Sequence, residues 1–181
     1  KYLGERCIDI EIARTVCKEL HFDTRGKHYF GIGFPNIAGG YEIRNPFFKG
    51  GITPKDISLF HNEESKQSCS VFEGFIDFLS FMMLRRKEND GLKRQDYLVL
   101  NSVSNVHKAL ERLSQYDSVQ CFLDNDDAGK NAYLQLSKEL GNSVANASTL
   151  YNGYKDLNEY LCAESKHSEK AEIKKAKGIK L

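Results

Sequence analysis

Hydrophobic positions change period several times in the first sixty residues, which indicates a mixed α+β segment. Apolar residues recur at helical spacing over residues 8–20 and predict an amphipathic helix. Segments 28–34, 41–44 and 56–60 are rich in aromatic and β-branched residues and predict three strands. A turn rich in Gly, Pro and Asn joins the first two. We therefore predict a small α+β subdomain over residues 1–65.

From residue 68 onward, apolar strand patterns alternate with helical ones. Strands are predicted to end at Glu73 and to cover 97–100, 119–123 and, more weakly, 143–149. Helices are predicted over 75–86, 105–113 and 127–140, with a last one beginning over 155–162. This alternation is typical of parallel βαβ units in an α/β fold. We assign it to a domain over residues 66–165, followed by a charged, frayed tail over 166–181.

Acidic residues follow two of the predicted strands. Glu73 ends the first strand, with Asp77 one helical turn later, and Asp124 and Asp126 follow another strand. Ligands of open α/β sheets bind at the carboxyl ends of the strands, so these four acids are expected to converge. Like charges about 4 Å apart repel by roughly 1 to 4 kcal/mol, and an oxygen-seeking cation such as Mg²⁺ would relieve that repulsion.

The aspartates also have structural interpretations, which stay open at this point, whereas an acid such as Glu73 at the end of an apolar strand has little structural explanation. Asp77 and Asp127 suit helix N-termini, and Asp124 and Asp126 suit turns. Other familiar sites are excluded because their residues are missing: the Walker sequence, G-x-G-x-x-G, H-E-x-x-H, G-x-S-x-G and a complete calcium loop. A metal-assisted reaction at clustered carboxylates therefore remains the main hypothesis.

Net charge is only +1, but the middle of the chain is acidic and both flanks are basic. The first flank interleaves cations with aromatic residues, which suits a nucleic-acid backbone and its bases. The candidate nucleic-acid-binding residues are Arg25, Lys27, Arg44, Lys49 and Lys55. An alternative is that the aromatic residues form core and the charges form a solvated face.

No apolar run reaches membrane length and no signal peptide opens the chain, so we expect a cytoplasmic protein. The five cysteines are widely spaced and contain no C-x-x-C pair, which predicts reduced core thiols.

Three motifs resemble the TOPRIM domain shared by DnaG-type primases, type IA and II topoisomerases and some nucleases. The first two are Glu73-Gly74-x-x-Asp77 and Asp124-x-Asp126-x-Ala128-Gly129, in forms most similar to bacterial primases. Asp156-Leu157-Asn158-Glu159 resembles the third acidic motif, except that Asn158 stands where a second Asp is usual. Segment 29–45 resembles the subdomain that precedes TOPRIM in primases. The zinc ribbon that opens such proteins has no counterpart in this sequence. The widely spaced cysteines cannot replace it, because the ligands of a structural zinc site come in closely spaced pairs.

The resemblance implies a TOPRIM-type, mostly parallel sheet flanked by helices and preceded by the α+β subdomain. It also implies a DNA primase-like nucleotidyltransferase, serving replication or mobilisation of a bacterial mobile element. Glu73 would be the general acid/base, and Asp124, Asp126, Asp77 and Asp156 would hold Mg²⁺ or Mn²⁺. Implied partners are a single-stranded DNA template, nucleotides, and a helicase or relaxase, with no membrane. The alternatives are a TOPRIM nuclease, a topoisomerase-type fragment, or a non-catalytic nucleic-acid-binding module.

Overall fold

The computed structural model describes residues 1–24, 26–62, 67–87 and 95–178 of the chain. Two short helices come first, α1 (Tyr2–Glu5) and α2 (Ile10–Val16). A four-stranded antiparallel sheet follows in the order β1-β2-β3-β4. Its strands are β1 (Lys18–Thr24), β2 (Lys27–Pro35), β3 (Tyr41–Asn45) and β4 (Phe48–Ile52).

The helix predicted over residues 8–20 is shorter than expected. The side chain of Asp9 accepts a hydrogen bond from the backbone N–H of Glu11 and caps α2. Beyond Cys17 the chain is extended, and Leu20 pairs with Gly31 of β2. The prediction was wrong there because Leu20 also fits the strand alternation of β1, and pairing with β2 satisfies the backbone.

Strands β2 and β3 confirm the first two strand predictions, whereas β4 was missed. The β4 sequence FKGGI contains two glycines, which weaken the strand signal. Pairing with β3, where Ile43 lies opposite Gly50, nevertheless holds it in the sheet.

The second sheet has five strands in the order β5-β7-β6-β8-β9. They are β5 (Ser58–Phe60), β6 (Ser68–Phe72), β7 (Asp96–Val99), β8 (Ser118–Phe122) and β9 (Val144–Asn146). All neighbours are parallel except β5 and β7. The flanking helices are α3 (Phe75–Lys87), α4 (Val106–Leu113), α5 (Asp127–Leu140) and α6 (Leu157–Gly178). The predicted fold class, a mostly parallel α/β sheet after a small α+β subdomain, is confirmed.

Two details of the predicted organisation were wrong. Strand β5 was assigned to the N-terminal subdomain, but it pairs with β7 and extends the second sheet. The last helix was expected to give way to a frayed tail, but α6 continues to Gly178. The predicted domain boundary falls at residues 65 and 66, which lie outside the described residues, and it stays a prediction.

Hydrophobic clusters cover both faces of the second sheet. Adjacent residues of one strand point to opposite faces, so Phe72 packs with α3 and α6 while Val71 packs with α4 and α5. Phe34 of β2 is fully buried, and its ring stacks on Phe75 of α3 at 5.0 Å between centroids. This contact fixes the first sheet against α3, beside the carboxyl ends of β6 and β8.

The cysteines form no disulfide with one another. Cys69 and Cys121 are buried as predicted, and burial raises the pKa of Cys121 to about 12. Cys7, Cys17 and Cys162 are only partly buried. Within the described residues, no helix has the length and apolar character needed to cross a membrane.

Candidate active site

A cleft of about 830 Å³ lies between the first sheet and the carboxyl end of the second. One wall carries basic residues from the N-terminal subdomain and its connection to β5: Arg44, Lys49 and Lys55. The opposite wall carries acids from three separate loops: Glu73, Asp77, Asp124 and Asp156. The fold thus brings most of the predicted cations and acids to one cleft.

Glu73 and Asp77 are placed by the turn from β6 into α3. Glu73 is the first residue after β6, and Asp77 lies in the first turn of α3. A Cβ added at Gly74 would lie 3.3 Å from the Asp77 carboxylate, which is tighter than most such contacts. Glycine therefore leaves room for Asp77 to turn back toward the cleft.

Asp124 is placed by the turn from β8 into α5. Gly129 packs so closely on this turn that an added Cβ would lie 2.1 Å from the Asp124 carbonyl oxygen. Asp126 caps α5, because its Oδ1 accepts a hydrogen bond of 3.0 Å from the Gly129 N–H. Asp127 is exposed in the first turn of α5, as the structural interpretation expects.

The backbone N–H of Asp124 lies near enough to the Glu73 carboxylate to lower its pKa, which links the first two motifs. One carboxylate oxygen of Glu73, Oε2, is buried and has no hydrogen-bond partner among the described residues. A buried oxygen that accepts no hydrogen bond lowers the stability of the folded state. Its presence therefore indicates a site that is prepared for a proton or a ligand.

The third motif caps α6 beside the other two. Asp156 Oδ1 accepts a hydrogen bond of 2.8 Å from the Glu159 N–H. Asn125 ties this loop to the second motif, since its backbone N–H donates to the Lys155 carbonyl at 2.7 Å. Its side-chain amide donates to the carbonyls of Tyr151 and Tyr154. The sequence does not reveal this linking role of Asn125, because it depends on a loop distant in the chain.

Asn158 has a structural role that its position in the motif does not reveal. It is 2% exposed, and its amide nitrogen donates to the Arg6 carbonyl at 2.8 Å and to Ser80 Oγ at 2.9 Å. Its Oδ1 accepts from the Arg6 guanidinium at 3.2 Å, and its backbone N–H donates to Asp77. A carboxylate could not donate to the Arg6 carbonyl, so an amide suits this position.

Burial and mutual repulsion raise the pKa values of three of the clustered acids, Glu73, Asp77 and Asp124. Burial, reinforced by Glu73, Asp156 and Asp126, raises the pKa of Asp124 to about 7. Asp77 is partly exposed, yet burial and then Asp156 and Asp124 raise its pKa well above 3.8. Burial is also the main cause of the raised pKa of Glu73. The cleft therefore holds these three acids in a state that favours protons or cations.

The carboxylates suit a cation that completes its coordination with water and phosphate. Among residues 1–24, 26–62, 67–87 and 95–178, no three His, Cys, Asp or Glu side chains form a ready-made metal-binding group. Mg²⁺ commonly binds through one or two carboxylates plus substrate phosphates, so it does not need such a cage. The unpartnered Oε2 of Glu73 and the raised pKa of Asp124 fit this type of site.

The predicted nucleic-acid-binding residues are distributed unevenly. Lys49 and Lys55 are exposed on the basic wall, and Lys49 lies near enough to Glu73 to lower its pKa. Arg44 is mostly buried: its guanidinium pairs with Glu42 at 3.4 Å and lies 5.5 Å from the Phe75 ring centroid. Lys27 is exposed at the start of β2, outside the cleft lining. Arg25 lies outside the described residues. Sequence reasoning missed Lys155, which lines the cleft and lowers the pKa of Asp124.

Residues 70–161, just over half of the chain, match the family described as Toprim-like. The chain belongs to the Toprim-like family. Its residues 1–53 also match a family described as a domain of unknown function (DUF8464). No curated protein sequence matches the chain.

Solved primase structures share the fold of this Toprim-like chain. The primase fragment of the bacteriophage T7 primase-helicase protein matches with a TM-score of 0.65 and 21% identity, over 96% of this chain and 73% of that one. A second match comes from bacteriophage T7 lagging-strand DNA polymerase interacting with primase domains, bound to an RNA/DNA hybrid and dTTP. There the TM-score is 0.65 and the identity 22%, over 93% of this chain and 88% of that one.

The zinc-binding and RNA polymerase domains of the Aquifex aeolicus primase are also similar. The TM-score is 0.57 and the identity 17%, over 96% of this chain and 54% of that one. At these identities the similarity shows the fold. The expected likeness to the TOPRIM domain of DnaG-type primases is confirmed.

Proposed function

We propose that this Toprim-like chain is the catalytic core of a primase-like nucleotidyltransferase acting on a single-stranded DNA template. The observation that carries the proposal is the two-sided cleft, in which a basic wall with Lys49 faces the acids Glu73 and Asp124. A polyanionic strand suits the basic wall, and a reacting phosphate suits the acidic wall once cations are present.

Glu73 is the proposed general acid/base. In nucleotidyl transfer, the hydroxyl oxygen of one nucleotide bonds to the α-phosphorus of a nucleoside triphosphate, and the bond to the pyrophosphate group breaks. The hydroxyl proton passes to the Glu73 carboxylate. The nearby Asp124 N–H favours the ionised form of Glu73, and the buried, unpartnered oxygen Oε2 remains for the proton. A positioned acid/base of this kind contributes about 10² to 10⁴ in rate.

The proposed ligands of Mg²⁺ or Mn²⁺ are the clustered aspartates. Asp124 is the central one, with Asp77 and Asp156 beside it and with the Asp126 oxygen that does not cap α5. A bound cation of this type neutralises charge on the transferred phosphate and the leaving group. Lys49 and Lys155 balance part of the acidic charge, since both lower the pKa of Glu73.

Lys49, Lys55 and Lys27 are the proposed contacts for the template backbone. Arg44 is proposed to fix the structure of this wall more than to bind phosphate. Its guanidinium already pairs with Glu42 and packs on the Phe75 ring. A helicase is the proposed protein partner, because one fold relative is a primase-helicase protein of a bacteriophage. Replication of a mobile element is the corresponding proposed setting.

Primer synthesis tests the proposal directly. The full chain would be incubated with single-stranded DNA and labelled nucleoside triphosphates, with Mg²⁺ or with a chelator. We expect short labelled products that require template and Mg²⁺ and that disappear with Asp124→Asn. Mg²⁺-dependent nicking of the template without synthesis would instead identify a nuclease. Binding without either reaction would identify a non-catalytic module.

A further inference from the structure

The four-stranded sheet has an apolar face that points away from the rest of the protein. Its inner face carries Phe34 and Arg44, which pack against Phe75 of α3. Adjacent residues alternate between faces, so the strand register defines an opposite, outer face. We define the outer face by seven large apolar side chains: Leu20, Phe22, Tyr29, Tyr41, Ile43, Phe48 and Ile52. Within the described part of the chain, none of these seven belongs to either hydrophobic cluster of the core.

Three aromatic rings of the outer face, those of Phe22, Tyr29 and Phe48, form a continuous row. The centroid of the Phe22 ring lies 5.8 Å from that of Tyr29, with the two ring planes 20° apart. It also lies 5.8 Å from the centroid of the Phe48 ring. Tyr29 and Phe48 remain 37% and 42% exposed. A Cβ at Gly50 would lie 2.3 Å from the Phe48 ring, so this ring lies flat along its own strand. Flat, partly exposed rings of this kind are the platforms on which unpaired bases stack.

The charges of the sheet are sorted between its faces. Among the described residues of the four strands, the charged residues of the outer face are Lys18 and Lys27, and both are exposed. The acids Glu19, Asp23 and Glu42 all lie on the inner face. An aromatic row bordered only by cations complements a polyanion that also offers flat apolar groups, which describes single-stranded nucleic acid.

The outer face is continuous with the cleft through the turn between β3 and β4. Asn45, Phe47, Phe48 and Lys49 all line the cleft, and Phe47 is 96% exposed at its rim. Phe48 is shared, because its ring also contacts Phe22 on the outer face. A strand held along Lys49 would meet the aromatic row as soon as it crossed this turn.

We propose that the outer face binds, by stacking of its bases, the single-stranded nucleic acid that extends out of the cleft. This inference rests on the proposed function for the part of the strand that lies in the cleft. Tyr29 and Phe48 stack on bases, and Lys27 neutralises backbone phosphate. The surface is indifferent to sequence, because every base has a stacking face.

Adjacent residues of β2 provide a matched pair of variants. Tyr29 lies on the outer face, whereas Phe30 lies on the inner face and is 62% exposed. Affinity of the full chain for fluorescent oligothymidines would be measured for Tyr29→Ala and Phe30→Ala, after thermal melts confirm folding. Strands of about 5 nucleotides would be used to occupy the cleft alone, and strands of about 15 nucleotides to reach the outer face as well.

We expect Tyr29→Ala to weaken binding of the long strand about tenfold, as base stacking on one ring predicts, and to leave the short strand unchanged. Phe30→Ala should change neither. Equal affinity of wild type and Tyr29→Ala for the long strand would overturn the proposal. So would a wild-type dimer that Tyr29→Ala dissociates in sedimentation, because the face would then belong to a second copy.

A measurement on the wild-type chain tests the proposal even if the Tyr29→Ala variant does not fold. Long strands carrying 5-iodouracil would be photo-crosslinked and the attachment sites mapped by mass spectrometry. We expect crosslinks at Tyr29 or Phe48, and crosslinks confined to cleft residues such as Lys49 would overturn the proposal. If the short strand fails to bind while Tyr29-dependent binding of the long strand persists, the cleft path of the proposed function fails and the outer face stands.

Discussion

Glu73 and Asp124 act on each other electrostatically: the Asp124 backbone N–H lowers the pKa of Glu73, and the Glu73 carboxylate raises the pKa of Asp124. The two residues follow neighbouring parallel strands, in which Phe72 of β6 pairs with Phe122 of β8. The first and second acidic motifs therefore share one structural unit. A change at either residue should therefore alter the pKa of the other.

Glu73→Gln should separate proton transfer from metal binding. The amide keeps the shape of the side chain but cannot ionise, so turnover should fall by about 10² to 10⁴. Binding of Mg²⁺ and DNA should remain close to that of the wild type. Calorimetry and primer synthesis on the same sample would check this. Nearly normal turnover would contradict the acid/base role, and loss of metal binding together with turnover would make Glu73 a ligand.

Asp124→Asn should change how the stability of the metal-free protein depends on pH. The pKa of Asp124 is about 7 in the folded state against an ordinary value of 3.8, so the folded state retains a proton that the unfolded chain releases. Wild-type stability should therefore fall as pH rises from about 4 to about 7. Removing this acid should flatten that slope and raise the melting temperature at pH 8 by about 2 to 4 °C, the effect of about 1 kcal/mol in a chain of this size.

Thermal melts in a chelator at several pH values would measure this effect, with Asp127→Asn as the exposed matched control. A large loss of stability in Asp124→Asn at pH 8 would show instead that the carboxylate is structural. Because cations compete with the proton, Mg²⁺ affinity of the wild type should rise with pH up to about 7.

Lys49→Ala and Arg44→Ala should have different effects, although both residues lie on the basic wall. Lys49 is exposed, so its loss should leave stability unchanged and reduce the slope of log affinity for DNA against log salt by about one phosphate contact. Loss of Arg44 leaves Glu42, whose side chain is 10% exposed, as an unpaired buried charge, which costs about 3 to 5 kcal/mol. Denaturant titration and salt-dependent binding would separate the two effects. Equal stability of the two variants would contradict the role given to Arg44.

The acidic motifs were visible in the sequence because each stands at the end of a strand or at the start of a helix. Glu73 and Asp124 needed only the strand ends to be located, and the alternation of apolar strands and helices located them. The roles of Asn125 and Asn158 were not visible, since they depend on contacts between distant segments. Arg6 and Asn158 are 152 residues apart in the chain, and no local pattern reports their hydrogen bonds.

The same limit explains the errors in the N-terminal subdomain. Leu20 fits both a helical period and a strand alternation, and only the pairing of β1 with β2 decides between them. The two glycines of β4 weaken its strand pattern in the sequence, although pairing with β3 holds it in the sheet. The role of Asp126 as the cap of α5 agrees with the structural interpretation that the sequence left open, and its role as a ligand stays a prediction.

Asn158→Asp should destabilise the protein, although it restores the acid that is usual in the motif. The new carboxylate cannot donate to the Arg6 carbonyl or to Ser80, and its charge lies beside Asp77. The Arg6 guanidinium offsets part of this, and we expect a net cost of about 1 to 3 kcal/mol. Denaturant unfolding in a chelator would measure it, with Asn152→Asp on the exposed loop before α6 as the control. Unchanged stability with tighter Mg²⁺ binding would show that position 158 is a ligand site.

The central claim is that the acidic wall binds a divalent cation, and crystals soaked in Mn²⁺ test it most directly. We expect an anomalous difference peak at the Asp124 carboxylate, within about 2.2 Å of its oxygen and on the side facing Glu73. The peak should be lost in crystals of Asp124→Asn. A peak at another part of the chain, or no peak at millimolar Mn²⁺, would contradict the account.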